Sequence, residues 1–124
     1  MKFEKNNKDY RCGDVVFAKC VPFDGSILNK GRPIIYLGRE GNKVRYLKCT
    51  TQRSNTKDQQ RIYDLISAGL LKTTYVEPEV RYLDLSHIEY RLGRLCREDM
   101  EYLGITSLTI PIEGSLIYFL PGYI

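Results

Sequence analysis

The fold is decided by residues 31–49, GRPIIYLGREGNKVRYLKC. The apolar run IIYL is short and rich in β-branched residues, as is typical of a buried strand. The turn-forming stretch GREGN follows, and the next six residues alternate charged with apolar side chains. Alternation with a period of two indicates a strand with one solvated face. The stretch therefore predicts a β-hairpin whose second strand presents Lys43, Arg45 and Lys48 to solvent.

Upstream of this hairpin, residues 13–23 carry β-branched and aromatic side chains and predict a first strand. Residues 24–31 are rich in turn formers and predict a loop. Arg32 is then expected where this loop enters the next strand.

Downstream, residues 73–77 and 80–85 are two strand candidates separated by Pro78, which cannot donate to a central ladder. A terminal hairpin is predicted over residues 108–123. Helical spacing of apolar residues predicts a helix over 56–69 that stops at Gly69.

A second short helix is predicted from Asp99 to Leu103, ending near Gly104. Many short strands joined by tight turns, with one or two inserted helices, favour a mainly β small barrel over an alternating α/β sheet.

The length of 124 residues fits one domain spanning residues 1–124, with a loose polar arm over residues 1–11. No apolar run approaches the roughly 20 residues that cross a bilayer, and the N-terminus lacks the pattern of an export signal. The four cysteines show no metal-binding spacing and are expected to be reduced thiols. We therefore expect a cytoplasmic protein without a membrane segment.

Charge is distributed unevenly along the chain. Residues 1–61 contain 14 Lys and Arg against 6 Asp and Glu, a net charge of +8, whereas residues 62–124 contain 5 against 9, a net charge of −4. A basic half can form a phosphate-binding face or a plain solvated surface. Composition alone leaves both readings open.

Three stretches in order resemble the MazF/PemK toxin family: RCGDVVF at 11–17, GRPIIYL at 31–37 and KCTTQ at 48–52. The resemblance continues more faintly at 80–84 and 92–95. It implies an SH3-like barrel of the MazF/CcdB type that forms a homodimer. It further implies a toxin that cleaves single-stranded RNA without a metal or other cofactor and is neutralised by a cognate antitoxin. The products would be a 2′,3′-cyclic phosphate and a 5′-hydroxyl.

Matched by position, the resemblance implies that Arg32 and Thr50 are catalytic. Their chemistry fits, because a guanidinium binds phosphate oxygens through two parallel hydrogen bonds and a hydroxyl can donate a third. The substrate's own 2′-hydroxyl is the nucleophile in such cleavage. The remaining candidates for substrate binding are Phe23, Lys30, Thr51 and Gln52.

The general base is left open between Asp24, in the first loop, and Glu77, near the position of an acidic residue in some relatives. His87 is the only histidine. It lies outside the matched stretches, so a structural role is expected for it.

Two other functions remain as alternatives. The chain could be a non-catalytic barrel that binds a protein target such as gyrase, as CcdB does, or an RNA-binding module without activity.

Overall fold

The computed structural model of the chain describes residues 9–23, 26–56 and 58–105, with the backbone alone for residues 20–23 and 26–30. The described residues form strands β1 Asp14–Phe23, β2 Ser26–Glu40, β3 Lys43–Thr50, β4 Gln60–Arg61, β5 Tyr75–Asp84 and β6 Ile88–Arg94. They also form helices α1 Leu65–Ala68 and α2 Arg97–Leu103, and a 3₁₀ turn at Leu85–His87.

The strands make one antiparallel sheet in the order β4-β5-β3-β2-β1-β6. Its centre is the predicted hairpin, in which Ile35 pairs with Leu47 and Tyr36 with Tyr46. The turn between these strands contains Gly41 at φ 63°, a left-handed conformation that glycine adopts without steric cost. The predicted fold class, a mainly β small barrel with short inserted helices, is confirmed.

Strand β2 is longer than the sequence predicts. The expected loop over residues 24–31 is mostly strand, because β2 begins at Ser26 and pairs with β1 to the end of that strand. Two register shifts between β1 and β2 accommodate the turn-forming residues within the ladder. Arg32 therefore lies inside β2, opposite Ala18, and not where a loop enters a strand.

Strand β5 corrects the prediction of two strands at 73–77 and 80–85. It runs without a break from Tyr75 to Asp84. Its pairing with β3 shifts by two residues around Pro78. The proline thus lies in a bulge, where a missing ladder donor is tolerated.

Each face of the sheet carries its own core. Face A is lined by Val16, Ala18, Ile34, Tyr36, Val44, Tyr46, Leu83 and Ile88. Face B is lined by Val15, Ile35, Leu47, Cys49 and Val76, and Ile62, Ala68, Leu95, Met100 and Ile105 complete its core. Since successive side chains of a strand point to opposite faces, the β3 residues after Tyr46 that share face A are Lys48 and Thr50.

Helix α1 is shorter than the predicted helix over 56–69. Residues 60–61 pair with β5 as strand β4, which holds this part of the segment extended. Ile62 follows and is buried in the core of face B, at 1% exposure. The helix begins after Asp64, whose carboxylate caps it, and ends as predicted at Gly69, which has φ 74°.

Helix α2 ends at Gly104 as predicted and is anchored through Asp99. The Asp99 side chain is 1% exposed. It accepts hydrogen bonds from the backbone N–H groups of Tyr63, at 3.0 Å, and Asp64, at 2.9 Å. The helix is therefore tied to the segment that leads into α1.

Most of the predicted N-terminal arm, residues 1–8, and the predicted terminal hairpin, residues 108–123, lie outside the described residues. Within the described ranges, none of the helices has the length and apolar character needed to cross a membrane.

Candidate active site

Arg32 is half-buried on face A, two residues before Ile34 on β2. The preceding residue, Gly31, packs against Phe17, and a Cβ there would collide with the Phe17 ring. A side chain at position 31 would therefore force the Phe17 ring to move. Burial lowers the pKa of the Arg32 guanidinium from its usual value. Arginine nevertheless stays charged at neutral pH, so a fixed cation stands at this point of the face.

Thr50 is the last residue of β3 and is 8% exposed. Its Oγ1 accepts a hydrogen bond from the backbone N–H of Gln52 at 3.0 Å. This bond fixes the side-chain rotamer through a lone pair of the oxygen, and the hydroxyl hydrogen can be donated elsewhere. The turn after β3 thus orients a hydroxyl donor at the end of the strand.

Arg32 and Thr50 lie on neighbouring strands and on the same face. Ile34 pairs with Lys48, and continuing that register by two residues on each strand brings Arg32 opposite Thr50. Residues directly opposite each other have Cβ atoms roughly 4.5–5.5 Å apart. On that continuation, the two residues that the sequence singled out are neighbours on face A.

Glu77 is also on face A, and it sits between two cations. Its Oε1 lies 3.7 Å from Lys48 Nζ and 3.7 Å from Arg81 Nη2. The sequence predicts Lys48 on the solvated face with Lys43 and Arg45, which is wrong. Lys48 is 3% exposed and is paired in register with Glu77 across β3 and β5. A buried ammonium is tolerated there because a carboxylate faces it.

The other candidates are distributed around this pair. Thr51 and Gln52 follow Thr50 and are exposed. The backbone places Lys30 two residues before Arg32 on β2 and Phe23 at the end of β1. The side chains of Phe23 and Lys30, and Asp24 as a whole, lie outside the described residues.

Sequence reasoning missed Tyr75. It pairs in register with Thr50, so the two side chains leave neighbouring strands on face A. The Arg53 guanidinium carbon lies over this ring, 5.6 Å from its centroid, as in a cation–π contact. The signal in the sequence was its position two residues before Glu77, which puts both side chains on one face of a strand.

His87 is in the 3₁₀ turn that leads into β6. The next residue, Ile88 of β6, pairs with Ala18 of β1, and Ala18 in turn pairs with Arg32 of β2. His87 therefore stands two strands away from β2. Its Nδ1 is buried and has no hydrogen-bond partner within the described part of the chain.

Three cysteines can be assessed in the structure, and all are free thiols: Cys12, Cys49 and Cys96. Burial raises the pKa of the Cys49 thiol to about 12, so this thiol is protonated at neutral pH. Over residues 9–23, 26–56 and 58–105, no group of three histidine, cysteine or acidic side chains is arranged to hold a metal ion.

No protein-family model matches the chain, and no curated protein matches its sequence. Among solved structures, the chain is similar to the Mycobacterium tuberculosis toxin MazF-mt6, with a TM-score of 0.55. The identity is 18%, and the match covers 73% of this chain and 87% of that one. At this identity the likeness concerns the course of the backbone and not the side chains. The chain therefore has the fold of a MazF-type toxin.

Proposed function

We propose that the chain is a toxin-type endoribonuclease that cleaves single-stranded RNA. The observation that supports this proposal is the pairing of Ile34 with Lys48, because the same register continued by two residues sets the Arg32 guanidinium opposite the oriented Thr50 hydroxyl on one face. The MazF-type fold supports the same reading, because the solved structure that the chain resembles is a toxin of that type.

In the proposed reaction, the 2′-oxygen of one ribose attacks the adjacent phosphorus. The P–O2′ bond forms, the P–O5′ bond breaks, and the products are a 2′,3′-cyclic phosphate and a 5′-hydroxyl. Arg32 holds two phosphate oxygens and stabilises the charge that builds on them, and Thr50 donates a further hydrogen bond. No metal-bound water is needed, because the substrate supplies the nucleophile.

Two protons must move in this step. The proton of the 2′-hydroxyl passes to a carboxylate, and the 5′-oxygen takes up a proton from solvent or a neighbouring donor. Of the two candidate bases, Glu77 is favoured by its position on face A, on the strand that follows Thr50 across the sheet. Its contacts with Lys48 and Arg81 hold the carboxylate in place, and Asp24 remains the alternative.

Of the residues proposed for substrate contacts, Thr51 and Gln52 follow Thr50 along the chain, and Lys30 precedes Arg32 by two residues. Phe23 lies at the end of β1, the strand that pairs with β2. By analogy with MazF-type toxins, we propose a cytoplasmic homodimer that is neutralised by a cognate antitoxin. The antitoxin would occupy the same basic surface as the RNA.

Cleavage of a long unstructured RNA in excess EDTA tests the proposal. The wild-type protein should yield discrete fragments with cyclic phosphate ends, and Arg32→Ala should yield none. Arg39→Ala is the matched control, because Arg39 is an exposed arginine at the far end of the same strand, and it should cut like the wild type.

Intact RNA with the wild-type protein would reject the proposal. Binding without cleavage would then support the inactive RNA-binding module, and inhibition of gyrase would support the CcdB-like alternative. Equal cutting by Arg32→Ala and the wild type would show that the catalytic site lies elsewhere. For the base, Glu77→Gln and Asp24→Asn are compared. Loss of the acidic limb of the pH–rate profile in one of them identifies the carboxylate that takes up the proton.

A further inference from the structure

A row of aromatic rings and guanidinium groups begins beside Thr50. Tyr75 is paired with Thr50 on face A, and Arg53 lies over its ring. The loop that carries Arg53 is closed by one side chain, Gln59. Its Oε1 accepts from the backbone N–H of Ser54 at 2.9 Å, and its Nε2 donates to the backbone oxygen of Gln52 at 3.2 Å. The contact between Arg53 and Tyr75 is therefore held by the structure of the loop.

The row continues away from Thr50. Arg61 of β4 pairs in register with Tyr75, and its guanidinium carbon lies 5.3 Å from the centroid of the Tyr63 ring. The Tyr63 ring in turn lies 5.7 Å from the ring of Tyr102, tilted by 59°. We name these five residues the tyrosine–arginine strip: Tyr75, Arg53, Arg61, Tyr63 and Tyr102.

The far end of the strip is exposed and yet anchored. Tyr63 is 61% exposed and Tyr102 is 62% exposed, so neither ring serves the core. Asp99 nevertheless fixes the backbone of Tyr63 to α2, the helix that carries Tyr102. A buried carboxylate thus ties together the two backbone segments that carry these exposed rings, and such preorganisation lowers the entropy lost when a ligand binds.

The strip has the chemistry of a platform for single-stranded nucleic acid. Unpaired bases stack on tyrosine rings and arginine planes, and arginine charge attracts the phosphates between them. Neighbouring strands are about 4.8 Å apart, so the path from Thr50 runs across β5 to the edge strand β4. From there the strip passes around the edge of the sheet to α2, whose Met100 belongs to the core of face B.

We infer that the tyrosine–arginine strip binds the bases of the RNA next to the scissile phosphate and so guides the strand into the Arg32–Thr50 site. This inference rests on the proposed function and adds the location of the nucleotides that flank the scissile phosphate. Stacking tolerates any base, so the strip would supply affinity and direction of the strand, with little preference for sequence.

Binding to two single-stranded oligonucleotides tests the inference. The first is 2′-fluoro RNA, which lacks the nucleophile and cannot be cut, and the second is a chain of the same length without bases. Tyr63→Ala and Tyr102→Ala should each bind the first roughly 5- to 150-fold more weakly than the wild type and the second equally well. Tyr82→Ala is the control, because Tyr82 is 58% exposed on β5 outside the strip, and it should bind both like the wild type.

Arg61→Gln is a second variant that leaves both rings in place, and it should weaken binding to both oligonucleotides, because a cation is lost. Wild-type binding of 2′-fluoro RNA by the tyrosine variants and Arg61→Gln would overturn the inference. The inference would also be overturned if these variants bound RNA normally but lost binding to the antitoxin. The strip would then be a surface that binds a peptide. If the wild type cuts RNA and Arg32→Ala does not, either result leaves the proposed function standing. A wild type that neither binds nor cuts RNA would remove both.

Discussion

Lys48 and Glu77 face each other across β3 and β5 with Nζ 3.7 Å from Oε1, and their side chains are 4% and 7% exposed. Two charges at this depth are desolvated, so each depends on the other for its stability in the fold. The pair also lies on the same face of the sheet as Arg32 and Thr50.

Replacing Lys48 by Met should lower the free energy of unfolding by about 3 kcal/mol, because the variant leaves a buried carboxylate with one cation fewer. Urea unfolding measures this loss. The double variant Lys48→Met with Glu77→Gln should recover part of it, since both charges are then removed. Lys43→Met, at an exposed position of the same strand, should stay within about 0.5 kcal/mol of the wild type. A Lys48→Met protein as stable as the wild type would show that the pair is not a structural requirement.

Thr50→Val should reduce the rate of RNA cleavage by roughly 10²- to 10³-fold, because it removes a donor to the phosphate while keeping the volume of the side chain. Thr50→Ser retains the hydroxyl and should keep most of the rate. Thr50→Val also loses the acceptor for the N–H of Gln52, at a cost of about 1 kcal/mol in stability. Initial rates at saturating RNA separate this effect from weaker binding. Equal rates for Thr50→Val and Thr50→Ser would show that the Thr50 hydroxyl has no role in cleavage.

Asp99→Ala should destabilise the protein by about 3 kcal/mol, because two backbone N–H groups of the segment before α1 lose a buried charged acceptor. Hydrogen exchange should show faster exchange at Tyr63 and Asp64 and in α2, while the central hairpin stays protected. Asp99→Asn keeps one acceptor oxygen, so its stability should lie between that of the wild type and that of Asp99→Ala. Unchanged exchange at Tyr63 would contradict the anchoring role.

The free energy of unfolding should fall as the pH rises through the pKa of a free cysteine and beyond it. Cys49 should account for part of this fall. The folded-state pKa of its thiol is raised to about 12, whereas in the unfolded chain it is about 8.5. The unfolded state therefore loses this proton first. The contribution of Cys49 is complete below the unfolded pKa and declines from there up to the folded pKa.

The comparison of wild type with Cys49→Val at pH 8 and pH 10 isolates this effect, because the other titrating groups are common to both. The wild type should lose more stability over that interval, by up to about 1.4 kcal/mol per pH unit. Parallel stability curves for the two proteins would rule out a perturbed thiol at this position.

The sequence determined the features that depend on neighbouring residues along the chain. The alternation of residues 43–48 and the turn at Gly41 were sufficient for the central hairpin, and the glycines at 69 and 104 marked the two helix ends, because each pattern reflects local backbone preference. The order of motifs likewise pointed to Arg32 and Thr50. Their common face follows from strand periodicity once the pairing is known.

Tertiary structure decided what depends on pairing across the sheet. The long reach of β2, the continuous β5 with Pro78 in a bulge, and the burial of Lys48 against Glu77 all arise from contacts between strands that are distant in sequence. The same is true of Tyr75 beside Thr50 and of Tyr63 held against Tyr102. A propensity describes one residue and its neighbours, whereas register and burial are properties of the whole sheet, so only the folded chain could assemble the site.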